Sequence, residues 1–349
     1  MTIYGDGKSK KLVISKRYDL AEIAKDLKRD AEAADSVERR ALAPRTLAEY
    51  AKDWERFKDW CQRSGIDPER ASVEAVRLHL GSLQREGLKP NTLRRAYTSI
   101  SVELRKLDDV TWGPGMRSPA IRAFFKGLGN VGARVERKRA FTAERLDALR
   151  ELDMGNSLRA IRDRALLLVG FAGAFRRSEI VALDREDVER SEQGLSVLVR
   201  KSKTDQEGKG MYKAIFREED KGMCPVRALV RWLKAARKAG SPIESGPLFR
   251  PVLNGRVLDR RLEARAVVRA VKNAIGALGL SPESFSGHSL RAGFITSAAK
   301  DGKDIEEIMN QTGHKRMEQV MEYIRHETVF ERNAGKGLLR KRSKDDAKR

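Results

Sequence analysis

The chain has 349 residues, 40% hydrophobic and 35% charged, a length that favours two domains over a single core. Its 72 Lys and Arg against 50 Asp and Glu leave a net charge of +22, which points to a polyanionic partner such as nucleic acid. Two cysteines far apart in sequence, Cys61 and Cys224, exclude a disulfide framework or a cysteine-built metal site. With no signal-like apolar stretch and no run of 18 apolar residues, a cytoplasmic location without a membrane span is expected.

Residues 1–17 are polar and Lys-containing and read as a flexible terminus, followed by a helix over 19–40 using Leu20, Ile23, Ala24 and Leu27. After Pro44, the residues Leu47, Tyr50, Ala51, Trp54, Phe57 and Cys61 recur at three- and four-residue steps, predicting an amphipathic helix that Gly65 and Pro68 stop. Further helices are predicted over 73–85, from Pro90 through Leu107, and over 119–128. This block, residues 18–128, reads as a helical bundle with Arg- and Lys-rich polar faces. The segment 129–140, GNVGARVERKRA, lacks periodicity and reads as an interdomain linker.

The second block, residues 141–342, is mixed and mainly helical. Helices are predicted over 142–152, 159–172, 225–236, 261–278, 288–300, 304–311 and 315–326. LSVLVR at 195–200 alternates like a strand and pairs with a partner near 211–216 across a hairpin containing Gly208 and Gly210. Residues 343–349 form a basic tail. The expected fold class is therefore mainly α: a helical N-terminal domain, then a mainly helical domain with a small antiparallel β-sheet.

Four clusters carry chemistry: GAFRRSEI at 173–180, VRKSKTDQEGKG at 199–210, SGHSLRAG at 286–293, and TGHKRMEQVMEYIRH at 312–326. Each alone has a structural reading: a helix-terminal ion pair at Arg176, Arg177 and Glu179, solvated hairpin charges at Lys201 and Lys203, a cap at His288 and Arg291, a half-buried Tyr323. His288 and Arg291, three apart, are expected on one helical face. Jointly the clusters supply Arg, Lys, His and Tyr. That set suits a negatively charged reaction centre, without the carboxylate cluster of a Mg²⁺ site or the Gly-rich loop of an NTPase. Phosphoryl transfer without metal or ATP needs such cations to neutralise developing charge, and a side-chain nucleophile.

The order Arg, Glu, Lys, His-x-x-Arg, Gly-His, Tyr, with Tyr323 lying 32 residues after Arg291, resembles the catalytic signature of the tyrosine recombinase (phage integrase) family. The resemblance covers about residues 45–340 and implies a DNA strand-exchange enzyme with no cofactor and no metal. Carried over by motif, the site residues are Arg176, Glu179, Lys203, His288, Arg291, His314 and Tyr323. Lys201 stands near enough to compete with Lys203, and the pattern Arg, one residue, Ser or Ala, Glu selects Arg176 over Arg177.

The resemblance further implies a DNA-clamping N-terminal domain and a catalytic C-terminal domain. Partners would be double-stranded DNA and other copies of the chain: a tetramer on DNA, a monomer or weak dimer in solution. A terminal segment carrying Val329, Phe330, Leu338 and Leu339 would dock on a neighbour. A type IB topoisomerase-like or telomere-resolving enzyme, or a non-catalytic DNA-binding regulator on the same scaffold, remain alternatives.

Overall fold

The computed structural model describes residues 25–30, 33, 42–107, 118–131, 138–150, 155–202 and 210–327. Lys203, residues 1–17, the middle of the 129–140 stretch, the terminal segment with Val329, Phe330, Leu338 and Leu339, and the tail 343–349 lie outside the described residues. The chain divides into two units, residues 1–135 and 136–349. The division falls within 129–140, whose first three residues continue a helix.

The first unit is all helical among its described residues. Residues 25–30 are helical, and four longer helices follow: α1 Pro44–Arg63, α2 Val73–Arg85, α3 Pro90–Leu107 and α4 Pro119–Val131. Pro stands at the start of α1, α3 and α4, where its missing N–H leaves no bond unmade. The apolar stripes close on one core: Phe57 and Cys61 from α1, Val76, Leu80 and Leu83 from α2, Leu93, Ile100 and Leu104 from α3, Ile121 and Phe125 from α4. Arg95 clasps α3 to α1, with Nε and Nη2 donating to Asp53 at 2.8 and 3.0 Å and Nη1 to Glu49 at 2.7 Å.

The second unit is built around α6, Leu158–Ala172, preceded by the short α5, Ala143–Ala148. Helix α5 ends four residues before its predicted limit because Leu149 turns into the core and its N–H bonds Leu146 O at 3.1 Å. After α7, Arg177–Ala182, come β1 Val188–Arg190, β2 Gly194–Val199 and β3 Met211–Phe216, an antiparallel sheet in that order with Val197 opposite Lys213. Helix α8, Pro225–Lys238, buries Trp232, whose indole donates to Leu248 O at 3.0 Å. A small hairpin, β4 Val252–Leu253 and β5 Arg256–Val257, leads to α9, Ala264–Ala277. Three helices complete the described chain: α10 Ser289–Lys300, α11 Ile305–Thr312 and α12 Met317–Glu327. Among the described residues no helix is long and apolar enough to cross a membrane.

Candidate active site

The site is assembled on four elements of the second unit, beginning where α6 ends. The chain leaves that helix through Gly173, Ala174 and Phe175, and Ala174 takes a left-handed φ of +46°, a conformation L-residues rarely adopt. Arg176 follows as the N-cap of α7. Its backbone N–H donates to Glu179 Oε2 at 2.9 Å, and its Nη1 donates to Glu179 Oε1 at 2.5 Å and Ser202 Oγ at 2.9 Å. Glu179 thus fixes Arg176 by backbone and guanidinium at once. Arg177 packs against Gly287 instead, away from this pairing.

Helix α10 supplies Arg291, which is buried. Its position depends on close packing at Gly293, where a Cβ would stand 1.8 Å from Phe141 O. Phe141 N–H in turn donates to Ser289 O at 2.8 Å. Held there, Arg291 directs Nη1 to Ala174 O at 2.9 Å and Nη2 to His314 Nε2 at 3.2 Å. His288 caps the same helix but is exposed, its backbone N–H on Ser286 Oγ at 3.2 Å. His288 already has αR backbone angles three residues before Arg291, and its side chain is exposed where that of Arg291 is buried.

Helix α11 ends at Gly313, left-handed at φ +69°, which turns the chain so that His314 points back toward Arg291. Thr312 Oγ1 donates to Ile308 O at 2.6 Å and lies 2.8 Å from His314 Nδ1. With its proton committed to Ile308, the hydroxyl accepts from Nδ1–H. The network therefore assigns the Nδ1–H tautomer and leaves Nε2 as the acceptor nearest Arg291 Nη2, which also stands 3.5 Å from Nδ1. Tyr323, on α12, is half-buried beside the cluster of Ile295, Ile308, Val320 and Ile324, its ring centroid 6.2 Å from that of His314.

A buried cation absent from the sequence expectations completes the arrangement. Lys213 on β3 is 1% exposed, donates to Gly173 O at 2.8 Å and lies 5.0 Å above the Phe175 ring. Burial pushes its ammonium down to about 7; Glu179 opposes this while Arg291 and Arg176 add to it. Burial, then the Arg176 charge, holds Arg291 at about 10. His314 is pushed to about 4, first by burial and then by Arg291, Arg176 and Lys213, so it is neutral at pH 7. For Glu179, burial raises the pKa but the Arg176 hydrogen bonds and the Arg176 and Lys213 charges outweigh it, leaving the carboxyl below its ordinary value. The centre is a dense, partly dehydrated cationic cluster with one carboxylate, suited to an anionic ligand.

The structure thus pairs Arg176 with Glu179 and Arg291 with His314 by contact, the two pairs within electrostatic reach of each other, with Tyr323 next to His314. Lys201 is exposed at the edge of the described hairpin. The signal for Lys213 was in the strand alternation, since MYKAIF puts Lys213 on one face with Ile215.

A chain with this fold and these motifs falls in a defined class. The family model described as "Phage integrase family" matches residues 140–329, and the chain belongs to that family. An integrase/recombinase XerD homolog of Selenomonas ruminantium is 37% identical over 302 residues, 84% of this chain and 85% of the relative. Recombinase Cre of Escherichia phage P1 is 25% identical over 76% of this chain and 80% of its own. Among solved structures, lambda integrase residues 75–356, a dimer bound to a COC' core site, shares the fold with a TM-score of 0.55 at 15% identity, covering 84% of this chain and 93% of that one. The chain is accordingly a tyrosine recombinase, an enzyme of site-specific recombination.

Proposed function

We propose that the chain cuts and rejoins duplex DNA through a 3′-phosphotyrosyl intermediate on Tyr323, exchanging strands between two sites held in a tetramer. The observation that carries this reading is the convergence of Arg291, His314 and Tyr323: Arg291 Nη2 stands 3.2 Å from His314 Nε2, and the His314 and Tyr323 rings are 6.2 Å apart. Arg176 and Arg291 hold the non-bridging oxygens of the scissile phosphate, where planar guanidinium donors match phosphate geometry. Glu179 keeps Arg176 in place. His288 takes the phenol proton, since a free phenol of pKa about 10 is scarcely ionised at neutral pH. The Tyr323 oxygen bonds to phosphorus as the bond to the 5′ oxygen breaks, and Lys203 supplies the proton that the 5′ oxygen needs. The phosphotyrosyl bond conserves the energy of the broken linkage, so a 5′-hydroxyl from the other duplex reverses the step without ATP.

His314 has two successive tasks in this scheme. Its neutral ring accepts from Arg291 and orients it. When a phosphate enters, its negative charge favours the imidazolium, and His314 then becomes a donor to the same oxygens. The first unit, as a core-binding domain over residues 18–128, and the second, as a catalytic domain over 141–342, both engage the duplex. The net charge of +22 supplies phosphate contacts and makes affinity strongly salt-dependent.

Tyr323→Phe tests the assignment. The variant binds duplex DNA with unchanged affinity and yields no protein–DNA adduct on denaturing gels, whereas the wild-type chain does. An adduct that survives in the variant places the nucleophile elsewhere.

A further inference from the structure

Lys213 is used by none of the steps above, yet it is the most deeply placed cation beside the site. It stands on β3 with Ile215 facing the core, while Tyr212 and Phe216 on the opposite face are exposed. A lysine without a reason to be buried places its ammonium in water, so its inward course requires partners that hold it. Those partners belong to one turn. Nζ lies 2.8 Å from Gly173 O, 3.5 Å from Ala174 O and 5.0 Å from the centre of the Phe175 ring. That turn carries the left-handed Ala174, which persists only when its surroundings hold it. It is also the turn whose next residue is Arg176, and whose Ala174 carbonyl accepts from Arg291 Nη1 at 2.9 Å. Three elements therefore meet on two successive carbonyls: β3 through Lys213, α10 through Arg291, and the N-terminus of α7 through the chain itself.

We propose that Lys213 is a positioning residue, whose ammonium clamps the strained 173–175 turn and thereby sets Arg176 and Arg291 at the spacing that receives one phosphate. The inference rests on the reading of the site given above. Charge matters as well as shape, because a carbonyl pair held by a cation loosens when the cation loses its proton. The groups that face it are Glu179 and Arg176 from α7, Arg291 from α10 and His314 beyond α11, three of them cationic or able to become so. Their combined influence with burial brings the ammonium to about 7, so the clamp weakens as the pH rises past neutrality.

The test compares wild type, K213M, K213R and Y323F in the full chain. The DNA is the duplex recovered by denaturing capture of the wild-type chain on a pool of nicked duplexes of randomised sequence. Single-turnover adduct formation and equilibrium binding are measured on that duplex. K213M retains binding within about threefold but forms adduct about 100-fold more slowly, the scale expected of a misplaced reacting group. K213R, permanently charged, recovers most of that loss. The wild-type rate declines on the alkaline side at or above pH 7, and this decline is absent in K213R. If K213M does not fold, the comparison of wild-type and K213R pH profiles decides. K213M cleaving at the wild-type rate, or superimposable wild-type and K213R profiles, overturns the inference while leaving Tyr323 chemistry intact. Absence of adduct from wild type itself, or its persistence in Y323F, overturns the reading of the site and this inference with it.

Discussion

His79 in the first unit is buried and His314 in the second half-buried, each among aromatic or charged neighbours; both rings are pushed to about 4, yet their surroundings are unlike. His79, on α2, is 1% exposed and sits 5.2 and 5.3 Å from the Phe57 and Trp60 rings, with neither ring nitrogen hydrogen-bonded to any described residue. Its shift comes from burial first, then from Arg56. His314 is half-buried and has both nitrogens engaged, one on Thr312 and one on Arg291, within a cluster of three further cations or carboxylates. A displaced pKa therefore does not by itself mark a working site. The partners do: in the first unit the ring fills space, and in the second it is oriented.

The largest effect that separates the two regions is expected from Phe57→Ala. Phe57 is fully buried, stacks with Trp60 and meets His79 edge-on, so the truncation destabilises the first unit by about 3–5 kcal/mol. Hydrogen exchange on the full chain checks this. Amides of α1 to α3 lose protection while those of α6 and α8 keep theirs. Equal acceleration in both would show that the units open together and that the comparison between them does not hold.

Next in size is the acid response of the first unit. The folded His79 titrates at about 4 against an ordinary 6.5, so the unfolded chain takes up the proton more readily. Stability is complete above pH 6.5 and is lost as the pH falls through 6.5 toward 4, by about 3 kcal/mol in all. His79→Leu, which fills the site without a titrating group, removes this slope in denaturant titrations at pH 7 and pH 4. A slope that persists unchanged assigns the acid sensitivity to other groups.

What the sequence made legible follows the same division. The first unit was readable because its helices are long and periodic: the helices expected at about 73–85 and after Pro90, carrying Leu107, are observed as Val73–Arg85 and Pro90–Leu107. In the second unit β1, β4 and β5 were missed, since two- and three-residue strands carry no period. The Asn254-Gly255 turn between Val252–Leu253 and Arg256–Val257, with both residues at positive φ, was the overlooked hairpin signal. The site motifs stood out because Arg, His and Tyr in fixed order are rare. Lys213 and Thr312 did not, because their roles arise from contacts across 40 and 2 residues to groups that no motif names. A lysine in a strand reads as a solvated residue until the sheet is packed.

The smallest expected effect examines the oriented histidine itself. Thr312 is buried at the end of α11, where its hydroxyl donates to Ile308 O and accepts from His314 Nδ1. Thr312→Val keeps the volume and removes both bonds, at about 1 kcal/mol of stability. The consequence for the ring is more specific. Without an acceptor at Nδ1, the proton moves to Nε2, and Nε2 can no longer accept from Arg291. Arg291 then keeps only its bond to Ala174 O. Imidazole ¹⁵N spectra at neutral pH should show His314 as the Nδ1–H tautomer in the wild-type chain and as the Nε2–H tautomer in the variant, with His79 unchanged as the internal reference. An unaltered His314 tautomer in the Thr312→Val chain would mean that Arg291 alone dictates the ring's protonation, leaving the difference between the two histidines to one hydrogen bond rather than a relay of two.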